Sequence, residues 1–324
     1  MFKIKTSEGI FLQNFLFSVN AVLPLFILIT LGWFLTRLKI WNGEFLKTAN
    51  GISFNVLIPT MLFYNIYTSD FRSVFDAKLL AFVLCAVAIV VGIAFVVVPI
   101  LTHDRARQGV IIQALFRGNF ALLGLPLCQA LAGDAGAQTA SVFLAFLIPA
   151  FNVLATVVLS VYSNDKVDSP AQIIKKILKN PLIIGCVLGL IFSIFKIPLP
   201  EIVLKPVRDL KSVATPFALL VLGGDFKFKS FVSNLKYVLS TGLVRCIAIP
   251  ALAIFAAYLL GFRGIHIALI ISTFGTPVAV SSTAMTYKMN GDYDLACQLV
   301  VFTTLFSAIS ITMLAFVTKT LGIL

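Results

Sequence analysis

Runs of about twenty apolar residues follow one another along almost the whole chain, and no other feature constrains its fold so strongly. A helix needs roughly 20 apolar residues to cross the hydrocarbon core of a bilayer. Ten stretches reach that length, at 14–37, 45–67, 78–101, 107–131, 137–162, 172–195, 201–224, 232–260, 264–288 and 294–319. Only 12% of the 324 residues are charged and 60% are hydrophobic, whereas a soluble domain carries about a quarter charged residues. So much apolar surface cannot be hidden in one soluble core, and the chain reads as an all-α, multi-pass membrane protein. The first run continues past Pro24 with no small-residue cleavage site. It is therefore expected to stay as a helix rather than be removed as a leader.

The formal net charge of +12 does not point to nucleic acid. Lysines and arginines form no stripe or tail. They gather in short loops, among them Lys175, Lys176 and Lys179, where basic residues hold cytoplasmic loops against anionic lipid. Their distribution modestly favours a topology with both termini outside. The five cysteines lie far apart in apolar surroundings, with no CxxC, and read as small buried hydrophobes. The only histidines are His103 and His266, and neither HExxH nor GxSxG occurs. No metal, cofactor or enzymatic centre is expected.

The most polar connection, SNDKVDSPAQ at 163–172, falls at the middle of the chain and prompts a test for duplication. With a shift of 157 residues Pro24 meets Pro181, Gly32 meets Gly189, Lys39 meets Lys196, Glu44 meets Glu201 and Pro59 meets Pro216. At a shift of 158, Phe116 meets Phe274 and Gly133-Asp134 meets Gly291-Asp292. The reading is two homologous halves, 1–168 and 169–324, of five spans each. Five is odd, so the second half must enter the membrane from the opposite side. Inverted repeats of this kind are typical of secondary transporters, with substrate held near the midplane at the repeat interface.

Two spans carry residues that lipid does not favour. The fourth holds Arg117, Gly118, Asn119, Gly124 and Pro126; the ninth holds Gly275, Thr276, Pro277 and Ser281. Proline removes a backbone donor and clashes with the preceding turn, and glycine lets the chain leave helical geometry. A helix broken at mid-membrane presents free N–H groups at the start of its second half, where partial positive charge favours anions. Irregular backbone is tolerated at that depth only where it is buried in protein or lines a cavity. Two such breaks, one from each half, are expected to cross and form one site, with the Asn119 amide and the Thr276 and Ser281 hydroxyls facing it. The alternative is ordinary small-residue helix packing. Arg117 has two readings, a substrate counter-ion or a side chain reaching to the cytoplasmic headgroups; Arg245 is a weaker case of the same kind. Asn55, one turn before Pro59, is a candidate for the same cavity or a satisfied interhelical amide. Pro59 and Pro216 are expected to kink the second and seventh spans. Acidic residues such as Asp76, Asp104, Asp225 and Asp292 sit at span ends or in loops, which fits an anion carrier better than a cation or proton exchanger.

Four stretches in order, FNVLIPTMLFYN (54–65), NFALLGLPL from Asn119, TPFALLVLGGDF (215–226) and FGTPVAV (274–280), resemble the auxin efflux carrier family over nearly the whole chain. The resemblance implies ten helices in two inverted five-helix repeats, with the fourth and ninth broken and crossing. Spans one, two, six and seven would be a scaffold and the other six a mobile transport unit, moving elevator fashion. It implies that the substrate carboxylate binds at the crossing, with Asn119 as the crossover asparagine and Pro277 as the ninth-span crossover proline. The plant carriers place proline just before that asparagine, where this chain has Gly118. They also carry a long central loop that is missing here, so the short form looks like a bacterial inner-membrane carrier and auxin is not expected as its substrate. The implied partners are a small organic anion (a mono- or dicarboxylate), membrane lipid and a second copy in a homodimer. A sodium- or proton-coupled carrier of the bile-acid-transporter type and a non-transporting receptor are the alternatives.

Overall fold

The computed structural model describes residues 23–69, 76–162 and 170–324. The start of the first expected span, most of the central polar connection and the expected boundary at 168/169 lie outside the described residues. Among the described residues every regular element is helical. The helices are α1 (Leu23–Arg37), α2 (Gly43–Ile52), α3 (Ile58–Tyr67), α4 (Ala77–Leu101), α5 (Arg105–Phe116), α6 (Leu125–Val161), α7 (Pro170–Lys179) and α8 (Pro181–Ile194). They continue as α9 (Glu201–Asp225), α10 (Phe228–Leu243), α11 (Ile249–Leu259), α12 (Ile265–Phe274), α13 (Ser281–Lys288) and α14 (Tyr293–Thr320).

Three π-helical turns interrupt these helices, at Ser53–Leu57, Phe120–Gly124 and Val244–Ala248. Each ends two residues before a proline: Pro59, Pro126 and Pro250. The cause is local. A proline ring clashes with the carbonyl four residues earlier, and in all three cases that carbonyl (Asn55, Leu122 or Cys246) lies inside the widened turn. The expectation for Pro59 is met in this form, but Pro216 differs: α9 runs unbroken from Glu201 to Asp225 around it.

Among the described residues four continuous helical stretches are long and apolar enough to cross a membrane: Ala77–Leu101, Phe120–Val161, Phe231–Leu259 and Tyr293–Thr320. A fifth is the pair Ala171–Lys179 and Pro181–Ile194, bent by 64°. That bend departs from the single sixth span expected over 172–195. Asn180 caps α8 by accepting a hydrogen bond from Leu182 N–H at 2.9 Å, and Pro181 opens the new helix. The α7 segment, PAQIIKKILK, places isoleucines and lysines on different faces, a pattern suited to the membrane surface. Phe120–Val161 is itself two helices, because Gly133 takes φ 67° and ψ −156°. Two further apolar helices among the described residues, Leu23–Arg37 and Ile265–Phe274, are shorter than a full crossing.

Polarity is distributed as in a membrane protein. Ile93, Val96 and Ile100 on α4 and Leu252, Phe255 and Leu259 on α11 face outward, while Gln113, Arg117, Asn152, Arg245, Thr273 and Thr303 are buried. The helices sort into two groups. In one, α3 lies against α8 and α9, and α1 meets α9 where Gly32 and Gly223 press on the Leu220 and Ile29 carbonyls with no room for a Cβ. In the other, α6 packs on α12, α10 on α14 and α4 on α5. At one end a buried clasp joins the groups: Asn50 Nδ2 (α2) and the Tyr293 hydroxyl (α14) both donate to Asp225 Oδ2 (α9), at 2.9 and 2.8 Å.

Candidate functional site

The two breaks meet. After α5 the chain leaves helical geometry at Arg117 and re-enters it at Phe120; after α12 it does so between Gly275 and Ser281. Here the strands cross as a minimal antiparallel bridge between Gly118 and Val278. Asn119 N–H donates to Pro277 O at 2.8 Å and Ala279 N–H to Arg117 O at 3.1 Å. Val278 N–H, pointing the other way, donates to Thr303 Oγ1 of α14 at 3.1 Å. Backbone groups freed by unwinding are thus paired inside the protein, as an unwound segment of a membrane helix requires.

Arg245 holds the crossing from behind. It is fully buried and donates to Leu115 O at 3.2 Å, Thr273 O at 3.3 Å and Thr276 O at 2.9 Å. These carbonyls end the first halves of both broken helices, where the helix dipole is negative and a cation belongs. The headgroup reading of Arg245 is therefore excluded. Gly118 is required by this arrangement: a Cβ there would stand 2.7 Å from Thr276 Oγ1, 2.8 Å from Thr273 O, and against Arg245 Nη2.

Arg117 lies on the other side, 3% exposed. Its Nη2 donates to Asn152 Oδ1 at 2.7 Å and to Ser281 Oγ at 3.1 Å, and its Nη1 contacts Met285 Sδ at 3.0 Å. All three partners are interior, so the arginine does not reach the headgroups. Ion pairs among the described residues, such as Arg107–Asp292 and Lys227–Asp294, lie at helix ends, and none involves Arg117. Arg117, Asn119 and Ser281 line one cavity of about 40 Å³, together with Ile58 and Met61 of α3 and Thr215 of α9. In this conformation it has room for about one water. The Asn119 side chain lines it without a hydrogen-bond partner among the described residues, so an amide with both donor and acceptor capacity is left for a ligand.

The remaining expected residues fall elsewhere. Thr276 is buried and contributes its carbonyl to Arg245 rather than its hydroxyl to the cavity. Pro277 and Gly275 build the crossing without lining the cavity. Gly124 lets the two broken helices approach, since a Cβ there would meet Ser272 O at 2.9 Å. Pro126 is exposed and acts through the π turn before it. Asn55 does not face the crossing. Its Nδ2 donates to Gly51 O at 2.8 Å, and it borders a separate cavity of about 510 Å³ with Lys175, Lys179 and Lys288; the π turn before Pro59 rotates it off the α3 face. Sequence reading missed Asn152 and Thr303. A lone asparagine in PAFNVLATV, amid an apolar span, was the available signal for the first; a threonine in an apolar helix offers none.

Apolar faces turned outward, a polar interior and a buried cation at a crossing of broken helices define a multi-pass membrane transporter. The chain belongs to the family described as membrane transport protein, auxin efflux carrier-like, which matches residues 17–172 and 167–315. It is similar to an uncharacterized transporter from Methanothermobacter thermautotrophicus, 22% identical over 298 residues that cover 92% of this chain and 97% of the relative. It is also similar to one from Methanocaldococcus jannaschii, 24% identical over 310 residues covering 91% and 97%. Both relatives are archaeal, so the short form is not confined to bacteria.

Proposed function

We propose that the protein is a secondary transporter for a small organic anion, a mono- or dicarboxylate, that binds in the cavity at the crossing. One observation carries this reading: a buried guanidinium and a free amide, Arg117 and Asn119, face one cavity that no carboxylate among the described residues lines. The cavity walls come from both helix groups, α3 and α9 on one side and the crossing on the other, as alternating access by relative movement of the groups requires. Helix bounds support ten crossings in two inverted repeats. Gly43 to Tyr67 and Glu201 to Asp225 are offset by 158 residues at both ends, and α4 and α11 end 158 apart, at Leu101 and Leu259. In this reading α1, α2–α3, α8 and α9 form the scaffold through which a homodimer is made, and the remaining helices move elevator fashion, with both termini outside.

A screen of malonate, succinate and pyruvate by thermal shift on the purified protein tests the site, because a ligand of the native state raises Tm. Asn119→Ala is expected to abolish that shift and cut proteoliposome uptake at least tenfold, with normal expression and with flux independent of sodium. Unchanged uptake by the variant would remove Asn119 from the site.

A further inference from the structure

The two buried arginines are not electrically equivalent. Arg245 donates to carbonyls that close α5 and α12. Each helix C-terminus carries about half a negative charge, so together the two offset close to one positive charge. Among the described residues Arg117 has only neutral hydrogen-bond partners, Asn152, Ser281 and Met285. The first turns of the second half-helices, at Phe120–Leu122 and Val280–Ser281, border the same cavity, and their N–H ends add to its positive potential. The empty cavity therefore holds about one uncompensated positive charge, opposite a facing wall of Ile58, Met61, Leu62, Ala214, Ala218 and the single polar residue Thr215.

Resting on the transport reading above, we propose that the protein works as an anion exchanger. A bound monoanion neutralises Arg117, and the loaded unit crosses as a neutral body. The empty unit must carry the bare guanidinium past a largely apolar wall, which slows its return. One-for-one exchange is then fast and net flux slow, by on the order of a hundredfold from the cost of placing an arginine at mid-bilayer. The charge also makes the empty return sensitive to voltage, and leaves monoanion exchange indifferent to it.

The test uses the full chain in proteoliposomes, with radiolabelled pyruvate outside and either unlabelled pyruvate or no carboxylate inside. Exchange predicts initial uptake at least tenfold faster into loaded vesicles. An inside-positive potassium diffusion potential should accelerate uptake into empty vesicles and leave uptake into loaded ones unchanged. Equal rates into loaded and empty vesicles, or voltage-sensitive exchange, would overturn the exchange proposal while leaving transport standing. No uptake of pyruvate, malonate or succinate in either condition would instead sink the transport reading. Arg117→Gln is expected to lose the contrast between loaded and empty vesicles, and Arg117→Lys to keep it. Because either variant can misfold, the wild-type voltage measurement decides independently.

Discussion

Replacing Gly118 by alanine adds one methyl group where three heavy atoms already stand. Two of them, Thr276 Oγ1 and Thr273 O, would lie at 2.7 and 2.8 Å, and the third is Arg245 Nη2. Room can be made in two ways. Arg245 can withdraw, breaking its bonds to the Thr273 and Thr276 carbonyls; hydrogen bonds to a charged group are worth about 1.5–3 kcal/mol each, roughly 3–6 kcal/mol in sum. Alternatively the crossing strands can part, giving up Asn119 N–H to Pro277 O and Ala279 N–H to Arg117 O; at about 0.5–1.5 kcal/mol each this costs roughly 1–3 kcal/mol. The second route is cheaper. Gly118→Ala is therefore expected to open the crossing while the Arg245 clip holds, lowering Tm in detergent by several degrees and weakening anion binding, which depends on the placement of Arg117 and Asn119. The matched control is Gly92→Ala in α4, where a Cβ meets nothing within 4 Å. There alanine is expected to leave Tm unchanged or raise it, since it is the better helix former by about 1 kcal/mol. A Gly118→Ala protein with the Tm and uptake of wild type would refute the argument that close approach at the crossing excludes any side chain.

Other perturbations probe the supports of the site. Arg245→Leu leaves three buried carbonyls without their donor; at about 1–3 kcal/mol for each unsatisfied group, loss of the folded peak in size-exclusion chromatography is expected, and a monodisperse variant with wild-type Tm would count against the clip. Thr303→Val removes the acceptor for Val278 N–H and should destabilise by about 1–3 kcal/mol, read as a lower Tm. Tyr293→Phe deletes one bond to the half-buried Asp225 carboxylate, worth about 1.5–3 kcal/mol. Amide hydrogen exchange at the adjoining ends of α9 and α14 should quicken, and unchanged exchange there would show that the clasp does not hold the helix groups together.

Much of this protein was legible before any coordinates. Apolar runs of bilayer length admit only helices here, because a chain in lipid must pair its own backbone groups. The positions of the breaks were legible for a related reason: Gly118 and Pro277 each weaken a helix where they stand, and lipid tolerates an unwound backbone only inside protein. Helix lengths and bends were less legible. The 64° bend at Asn180-Pro181 divides a run that looked continuous, and Pro216 sits in an unbroken helix although Pro59 follows a π turn.

Which polar side chains face the cavity was legible only in part: Arg117, Asn119 and Ser281 line it and Thr276 and Asn55 do not, because that depends on rotation about each helix axis. Asn55 and Asn119 are the same residue in similar surroundings, yet a π turn sends one to a lysine-lined cavity and the unwound crossing leaves the other free beside Arg117. The two arginines show the division most clearly. The sequence by itself determined that each is a charge within an apolar span. Only the tertiary structure decided that helix C-termini compensate Arg245 while Arg117 meets no opposite charge among the described residues, because a dipole end acts on whatever the fold sets within one turn of it.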